Sequence, residues 1–201
     1  MAETARRVDG RDPRSPRFNV AGYFDDRPAD AISDLDSALL GPVTPEAMPC
    51  LIGIGDGDTR ERIDAFVTSA PPALDPLAMV GERVSLDEGV VVFAQAVVST
   101  NARLGRHVHI GRGSSVAHDC VLADYVSVMP LVSISGSVRV GKRSFIGTGA
   151  SIRQGVTIGS DATIGMGAVV LDDVPDGAVV VGNPARPLPR VRPEPTDAEP
   201  R

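Results

Sequence analysis

Cysteine is scarce in this chain, which holds only Cys50 and Cys120 among 201 residues. Two cysteines so far apart exclude a disulfide framework and a zinc cluster built on cysteine. Cys120 falls on a small inward position of the repeat described below, so we expect it to be a buried apolar residue.

An excess of positive charge and a long apolar run are also missing. The formal net charge is −6 at pH 7, which argues against nucleic acid or an anionic membrane as the main partner. No apolar stretch approaches the roughly 20 residues that cross a bilayer. The basic, proline-interrupted N-terminus has no hydrophobic segment of the kind found in secretory signals. The chain is therefore predicted to be cytoplasmic, without a membrane or nucleic-acid partner.

What the sequence has instead is a strict period of six residues. Counting in sixes from Leu74 to Val170, all seventeen positions are Leu, Val or Ile. Neither a helix, with its period near 3.6, nor a lone strand, with its period of 2, produces this pattern. A parallel β-helix does, because each short strand places one aliphatic residue inward before the chain turns a corner. Small or β-branched residues two positions earlier, such as Ala96 and Cys120, support the same fold.

The predicted fold is mainly β: a left-handed parallel β-helix of a little over five coils, preceded by a small, incomplete α/β unit of Rossmann type. We assign residues 18–70 to the α/β unit, with strands at 18–24 and 50–54 and helices at 30–40 and 59–69. Residues 71–187 form the β-helix domain. Residues 1–17 and 188–201, rich in proline and charge, are predicted to be a disordered arm and tail. A flat-sided prism buries little surface alone, so we expect a homotrimer.

Residues 18 apart should stack, which allows the corners of the prism to be compared in columns. One column alternates in charge and is interpreted as a solvated salt-bridge ladder of little energetic weight. It consists of Glu88, Arg106, Asp124 and Lys142.

A second column places His118 beside Gly136, which leaves space next to the ring. Histidine titrates near neutral pH, so His118 is a candidate general base, although a lone exposed histidine is the other interpretation. His107 and His109 lie in other columns, and their clustering on adjacent coils argues against a zinc site shared by three subunits.

Residues 116–122 (VAHDCVL) resemble the V-x-H-D-C-x-I signature of the NeuD-type sugar acyltransferases. The similarity continues through 146–150 and 154–159, and through a closing segment at 173–177 and 182–185. It also includes 22–26 and 54–57 in the N-terminal part, so that it covers about residues 18–187.

The resemblance implies an acetyl-CoA-dependent acyltransferase that acts on an amine or hydroxyl of a sugar or nucleotide-linked amino sugar. His118 would be the general base and Asp119 would orient its ring. The backbone N–H of Gly136 would contact the thioester oxygen. Acetyl-CoA would lie between two subunits, near Ser127, Gly136, Thr148, Gly149 and Met166. Asp25 and Gly55 are the candidate substrate-binding residues, and no metal is expected.

Three features depart from the family pattern. Ser127 stands where a second histidine usually contacts the cofactor, and Gly111 stands where an asparagine usually shapes the acceptor pocket. The first strand and its glycine-rich, phosphate-binding loop are missing. The turn at 55–57 also fits a plain strand-to-helix connection with Asp58 or Thr59 as N-cap. The alternatives are a non-catalytic trimeric scaffold, an acyltransferase with a non-sugar acceptor, and a metal-dependent hydro-lyase.

Overall fold

A computed structural model describes residues 23–24, 39–41 and 49–188. Its N-terminal part contains two parallel strand pairs and one helix. Strand β1 (Tyr23–Phe24) pairs with β2 (Leu39–Gly41), and β3 (Pro49–Cys50) pairs with β4 (Thr68–Ser69). Helix α1 (Gly57–Asp64) connects β3 to β4. The parallel pairing agrees with the predicted α/β unit.

The rest of the described chain is a left-handed parallel β-helix with three faces. The five-stranded face consists of β7 (Ser85–Leu86), β10 (Arg103–Leu104), β13 (Val121–Leu122), β16 (Arg139–Val140) and β19 (Thr157–Ile158). The six-stranded face consists of β6 (Met79–Val80), β9 (Val97–Val98), β12 (Ser115–Val116), β15 (Ser133–Ile134), β18 (Ser151–Ile152) and β21 (Val169–Val170). The eight-stranded face consists of β5 (Ala73–Leu74), β8 (Val91–Val92), β11 (His109–Ile110), β14 (Ser127–Val128), β17 (Phe145–Ile146), β20 (Thr163–Ile164), β22 (Val179–Val181) and β23 (Arg186–Pro187).

The core is the file of aliphatic residues that the six-residue period predicts. Fifteen of the seventeen positions belong to one buried cluster, and Val80 and Leu86 pack against it while partly exposed. Paired strands are offset by 18 residues, as in the pairing of Leu104 with Leu122. Identical inward positions therefore stack coil upon coil, and the predicted β-helix is confirmed. Cys120 is fully buried, as expected, and its thiol donates to the Ser135 carbonyl oxygen over 3.1 Å.

The number of coils is larger than the repeat predicts. Seven parallel strands, from β5 to β22, stack on the eight-stranded face. The ladder continues beyond Val170 because β22 pairs with β20 although only 16 residues separate Thr163 from Val179. The antiparallel strand β23 then covers the last edge of this face. A strict count in sixes misses this coil, because the chain shortens its step there.

The boundaries of the N-terminal elements also differ from the prediction. Helix α1 covers 57–64 rather than 59–69, because Asp56 caps it and residues 68–69 form β4 instead. The predicted strand at 50–54 is reduced to β3. Residues 39–41, placed partly in a predicted helix, form β2. The predicted arm at 1–17 and most of the tail at 188–201 lie outside the described residues.

Candidate active site

His118 lies at the corner that joins the six-stranded face to the five-stranded face, which we call the histidine corner (residues 117–119 and their equivalents 18 residues before and after). Its Nδ1 lies 2.7 Å from Asp119 Oδ2. A carboxylate only accepts hydrogen bonds, so Nδ1 carries the proton and donates it. The other ring nitrogen, Nε2, is left as an acceptor. Both side chains are about half exposed, so Nε2 is accessible to a substrate.

Gly136 lies directly against the His118 ring, one coil further along the histidine corner. A Cβ at this position would stand 2.6 Å from both Cε1 and Nε2 of the imidazole. No real side chain tolerates such a contact without movement of the ring. Among the residues that the structure describes, the Gly136 N–H has no backbone acceptor. The corner therefore presents a base and an amide donor side by side.

Two further side chains, missed in the sequence analysis, hold Asp119 from the opposite side. Asn101 Nδ2 donates to Asp119 Oδ1 over 3.0 Å, and Arg83 Nε donates to Asn101 Oδ1 over 2.8 Å. Each residue precedes the next by 18 positions, so the column that contains Asp119 would have revealed them. The hydrogen bond from His118, followed by that from Asn101, lowers the pKa of Asp119 below its ordinary value.

The predicted cofactor residues do not all lie at the histidine corner. Thr148 and Gly149 lie at the corner between the eight-stranded and six-stranded faces, and Met166 stacks on Thr148 with 79% of its surface exposed. We call this the threonine corner (residues 147–149 and 165–167). The width of the six-stranded face separates it from His118. Within one chain, only Gly136 of the five predicted cofactor residues adjoins the histidine.

The comparisons with known proteins agree with this geometry. A family model for the "hexapeptide repeat of succinyl-transferase" matches residues 137–172. The acetyltransferase domain of PglB from Neisseria gonorrhoeae, solved with acetyl coenzyme A, is 34% identical. The match covers 83% of this chain and 85% of that domain, with a TM-score of 0.77. The chain belongs to the hexapeptide-repeat sugar acyltransferase family.

Two further relatives of this acyltransferase act on the same sugar. PerB from Caulobacter crescentus, solved with CoA and GDP-perosamine, is 35% identical over 69% of this chain and 69% of its own, with a TM-score of 0.67. GDP-perosamine N-acetyltransferase from Escherichia coli O157:H7 is 41% identical over 121 residues. That match spans 57% of this chain and 54% of the E. coli protein, so it covers about half of that relative's length.

Ser127 of this acyltransferase is engaged elsewhere. It is buried on the eight-stranded face, where its hydroxyl donates to the Gly55 carbonyl oxygen over 2.6 Å. It also accepts from Arg60, over 2.9 Å. Two residues predicted for different ligands, Ser127 and Gly55, thus contact each other where the N-terminal part meets the β-helix. The structure does not bring Ser127 to the histidine corner.

Arg60 is the centre of this junction. Its guanidinium is fully buried and donates to the carbonyl oxygens of Ile54, over 2.7 Å, and Tyr125, over 2.6 Å. Burial lowers the pKa of Arg60 to about 10, so it remains charged at neutral pH. Gly57 allows the close approach, since a Cβ there would stand 2.7 Å from the Tyr125 oxygen. Asp56, rather than Asp58 or Thr59, caps α1 by accepting from the Thr59 N–H over 2.8 Å.

The charged column interpreted as a solvated ladder is instead part of the junction. Arg106 pairs with Glu88 over 2.8 Å but also with Asp64 of α1 over 2.9 Å. Lys142 pairs with Glu61, also on α1. The interpretation was wrong in this respect, because the sequence does not show that α1 packs against this corner. The column anchors the helix to the β-helix.

His107 is fully buried in the same junction. Its Nε2 lies 2.9 Å from Asp64 Oδ1, and its ring is parallel to that of Tyr125 at 5.9 Å between centroids. Burial lowers the pKa of His107, which favours the neutral ring. Burial alone would raise the pKa of Asp64, but hydrogen bonds from Arg106, Ser69 and Tyr125 outweigh it and hold that pKa well below its usual range.

Two other predictions receive only partial information. Asp25 lies outside the described residues. In the part of the chain that the structure describes, no three His, Cys, Asp or Glu side chains are grouped so that they could hold a metal ion. Within the same part, no helix has the length and apolarity needed to cross a membrane.

Proposed function

We propose that this acyltransferase moves an acetyl group from acetyl-CoA to the amino group of a sugar, with His118 as the general base. The observation that carries the proposal is the pairing of His118 Nδ1 with Asp119, which leaves Nε2 beside the Gly136 amide. The relatives named above support the amine, because two of them are N-acetyltransferases that act on, or are bound to, GDP-perosamine. A sugar hydroxyl is the second candidate acceptor.

The residues at the histidine corner have distinct tasks in this reaction. Acetyl-CoA supplies the acetyl group as an activated thioester. His118 Nε2 accepts the proton that the amine loses as its nitrogen attacks the thioester carbonyl carbon. Asp119 stabilises the positive charge that this places on the imidazole. The Gly136 N–H donates to the carbonyl oxygen as it becomes negative, and His118 returns the proton to the departing sulfur.

The proposed site lies between two copies of the chain. His118 and the predicted acetyl-CoA contacts Thr148, Gly149 and Met166 occupy different corners, so a second copy is needed to bring them together. The six-stranded face between these corners carries no charged residue at its outward positions. These are Met79, Val97, Ser115, Ser133, Ser151 and Val169. We therefore propose a closed homotrimer that pairs the two kinds of corner.

Mixing two inactive variants tests the shared site. His118→Ala removes the base at one corner, and Gly149→Trp blocks the other, where a Cβ would meet no atom within 4 Å. After joint unfolding and reassembly, a mixture of the two should regain part of the activity, because some interfaces combine two intact corners. Recovery of no activity from co-assembled trimers would place the whole site on one chain.

The acceptor-binding part of the site is proposed from the N-terminal residues. Asp25 and Gly55 remain our proposed substrate contacts, and the open space around the Gly55 Cα is compatible with a ligand there. Ser127 remains a proposed cofactor contact only through a change of partner, since its hydroxyl is bound to Arg60 and Gly55. Cytoplasmic placement stays a prediction from the sequence.

The direct test is thiol release from acetyl-CoA by the wild type and by His118→Ala. The acceptor panel consists of nucleotide-linked amino sugars, plain amino sugars and sialic acid. We expect release with one class of amine acceptor and a loss of at least about 100-fold in His118→Ala. Gln154→Ala, an exposed residue two coils away in the same column, is the matched control and should retain full activity. Equal turnover by His118→Ala with an unchanged melting temperature would refute the role of His118.

A further inference from the structure

The column next to His118 has an unusual backbone conformation. Arg83, Asn101, Asp119 and Ser137 all have φ between 57° and 61°, in the left-handed region. Non-glycine residues seldom adopt this conformation, and asparagine and aspartate tolerate it best. Each residue turns the same corner in successive coils, so their side chains leave the backbone in register. The fold thereby builds a row of side chains that ends beside the catalytic candidate.

Within this row, three hydrogen bonds join four side chains into one chain. Arg83 donates to Asn101, Asn101 donates to Asp119, and His118 donates to the second oxygen of Asp119. The chemistry of the ends determines the orientation of the amide in the middle. A guanidinium only donates, so the amide oxygen of Asn101 faces Arg83; a carboxylate only accepts, so its NH₂ faces Asp119.

The Asn101 contact restricts a carboxylate that is otherwise loosely held. Asp119 is 51% exposed and could rotate about its χ2 angle if His118 were its only partner. With one oxygen bound to Asn101 and the other to His118, the carboxylate plane is fixed. The positive charge of Arg83 polarises the amide and strengthens its donation, since hydrogen bonds in a chain reinforce one another.

We propose that Asn101, supported by Arg83, is a positioning residue that holds Asp119 so that the His118 ring keeps its proton on Nδ1 and offers Nε2 to the acceptor. This inference rests on the proposed function of His118. Asn101 acts through Asp119 and touches neither the imidazole nor the acceptor. Its contribution is therefore to the turnover rate and its pH dependence, and the affinity for acetyl-CoA should not depend on it.

The test uses two substitutions at Asn101 and one control. Asn101→Gly removes the side chain, and glycine accepts φ near 60° without strain. Asn101→Asp keeps the shape but adds a negative charge near Asp119, which stabilises the protonated imidazole. Asp161→Gly is the matched control: Asp161 has φ 56° and pairs with Arg143 one coil before it, at a corner without His118.

We expect Asn101→Gly to lower kcat about tenfold, as the loss of one charge-assisted hydrogen bond predicts, with KM for acetyl-CoA unchanged. In Asn101→Asp, the acid limb of the pH–kcat profile should move to higher pH, because the base works only when neutral. Asp161→Gly should change neither quantity. If Asn101→Gly folds poorly, the profile of Asn101→Asp alone decides.

The outcomes separate this inference from the proposed function. Full activity in His118→Ala would remove the proposed function itself. If His118→Ala is inactive but both Asn101 variants match Asp161→Gly in kcat and in pH profile, the row of hydrogen bonds only stabilises the coil and the positioning role is refuted.

Discussion

Alanine in place of Gly136 should separate catalysis from folding in this enzyme. The added Cβ would lie 2.6 Å from the His118 ring, whereas ordinary contacts begin at 3.4 Å, so the ring must move by roughly 1 Å. The ring is the element that moves, since it is half exposed and the glycine is part of the backbone. A shift of this size breaks the alignment of Nε2 and the 2.7 Å hydrogen bond to Asp119.

The expected loss in kcat is about 100-fold, or about 2.7 kcal/mol of transition-state stabilisation. The free energy of unfolding should change by less than about 1 kcal/mol, because φ at Gly136 lies outside the left-handed region and alanine fits the backbone. The backbone N–H proposed to contact the thioester oxygen is retained in the variant. A loss of activity can therefore be assigned to the displaced ring.

The assay is thiol release at saturating acetyl-CoA and acceptor, with a thermal unfolding curve for each variant. Gly136→Ala should have no further effect in a His118→Ala background, because both substitutions act on the same ring. Additive losses in the double variant, or full activity in Gly136→Ala alone, would refute the reasoning.

Two other predictions concern the junction between α1 and the β-helix. Arg60→Ala should cost about 3 kcal/mol of stability, because three hydrogen bonds to buried partners are lost, whereas Arg62→Ala, which is mostly exposed, should cost less than about 0.5 kcal/mol. Chemical unfolding measures both, and equal costs would contradict the anchoring role of Arg60. Stability should also fall as the pH drops from 7.5 to 5. The pKa of His107 is lowered by burial, so below its ordinary value of 6.5 the unfolded chain gains a proton that the folded chain does not. Asp64, whose pKa is depressed, loses its contribution only below its ordinary value of 3.8. His107→Gln should flatten the change in melting temperature between pH 7.5 and 5, and an unchanged slope would count against this assignment.

The sequence alone determined the β-helix and the position of His118 on it. One aliphatic residue per hexad is a local requirement, repeated in every coil, so it appears in the sequence as a period of six from Leu74 to Val170. The contact between His118 and Gly136 followed from the 18-residue stacking. The same rule would have revealed Asn101 and Arg83, which stack with Asp119 rather than with His118.

Only the tertiary structure decided how the N-terminal part is joined to the β-helix. Arg60 and Ser127 are 67 residues apart, and no periodicity relates α1 to the corner on which it packs. The contact depends on the side chains that two unlike surfaces present to each other once both are folded. For this reason Ser127, assigned to the cofactor by its place in a motif, proved to be bound to Arg60. For the same reason the charged column at Arg106 and Lys142 proved to hold a helix rather than to face solvent.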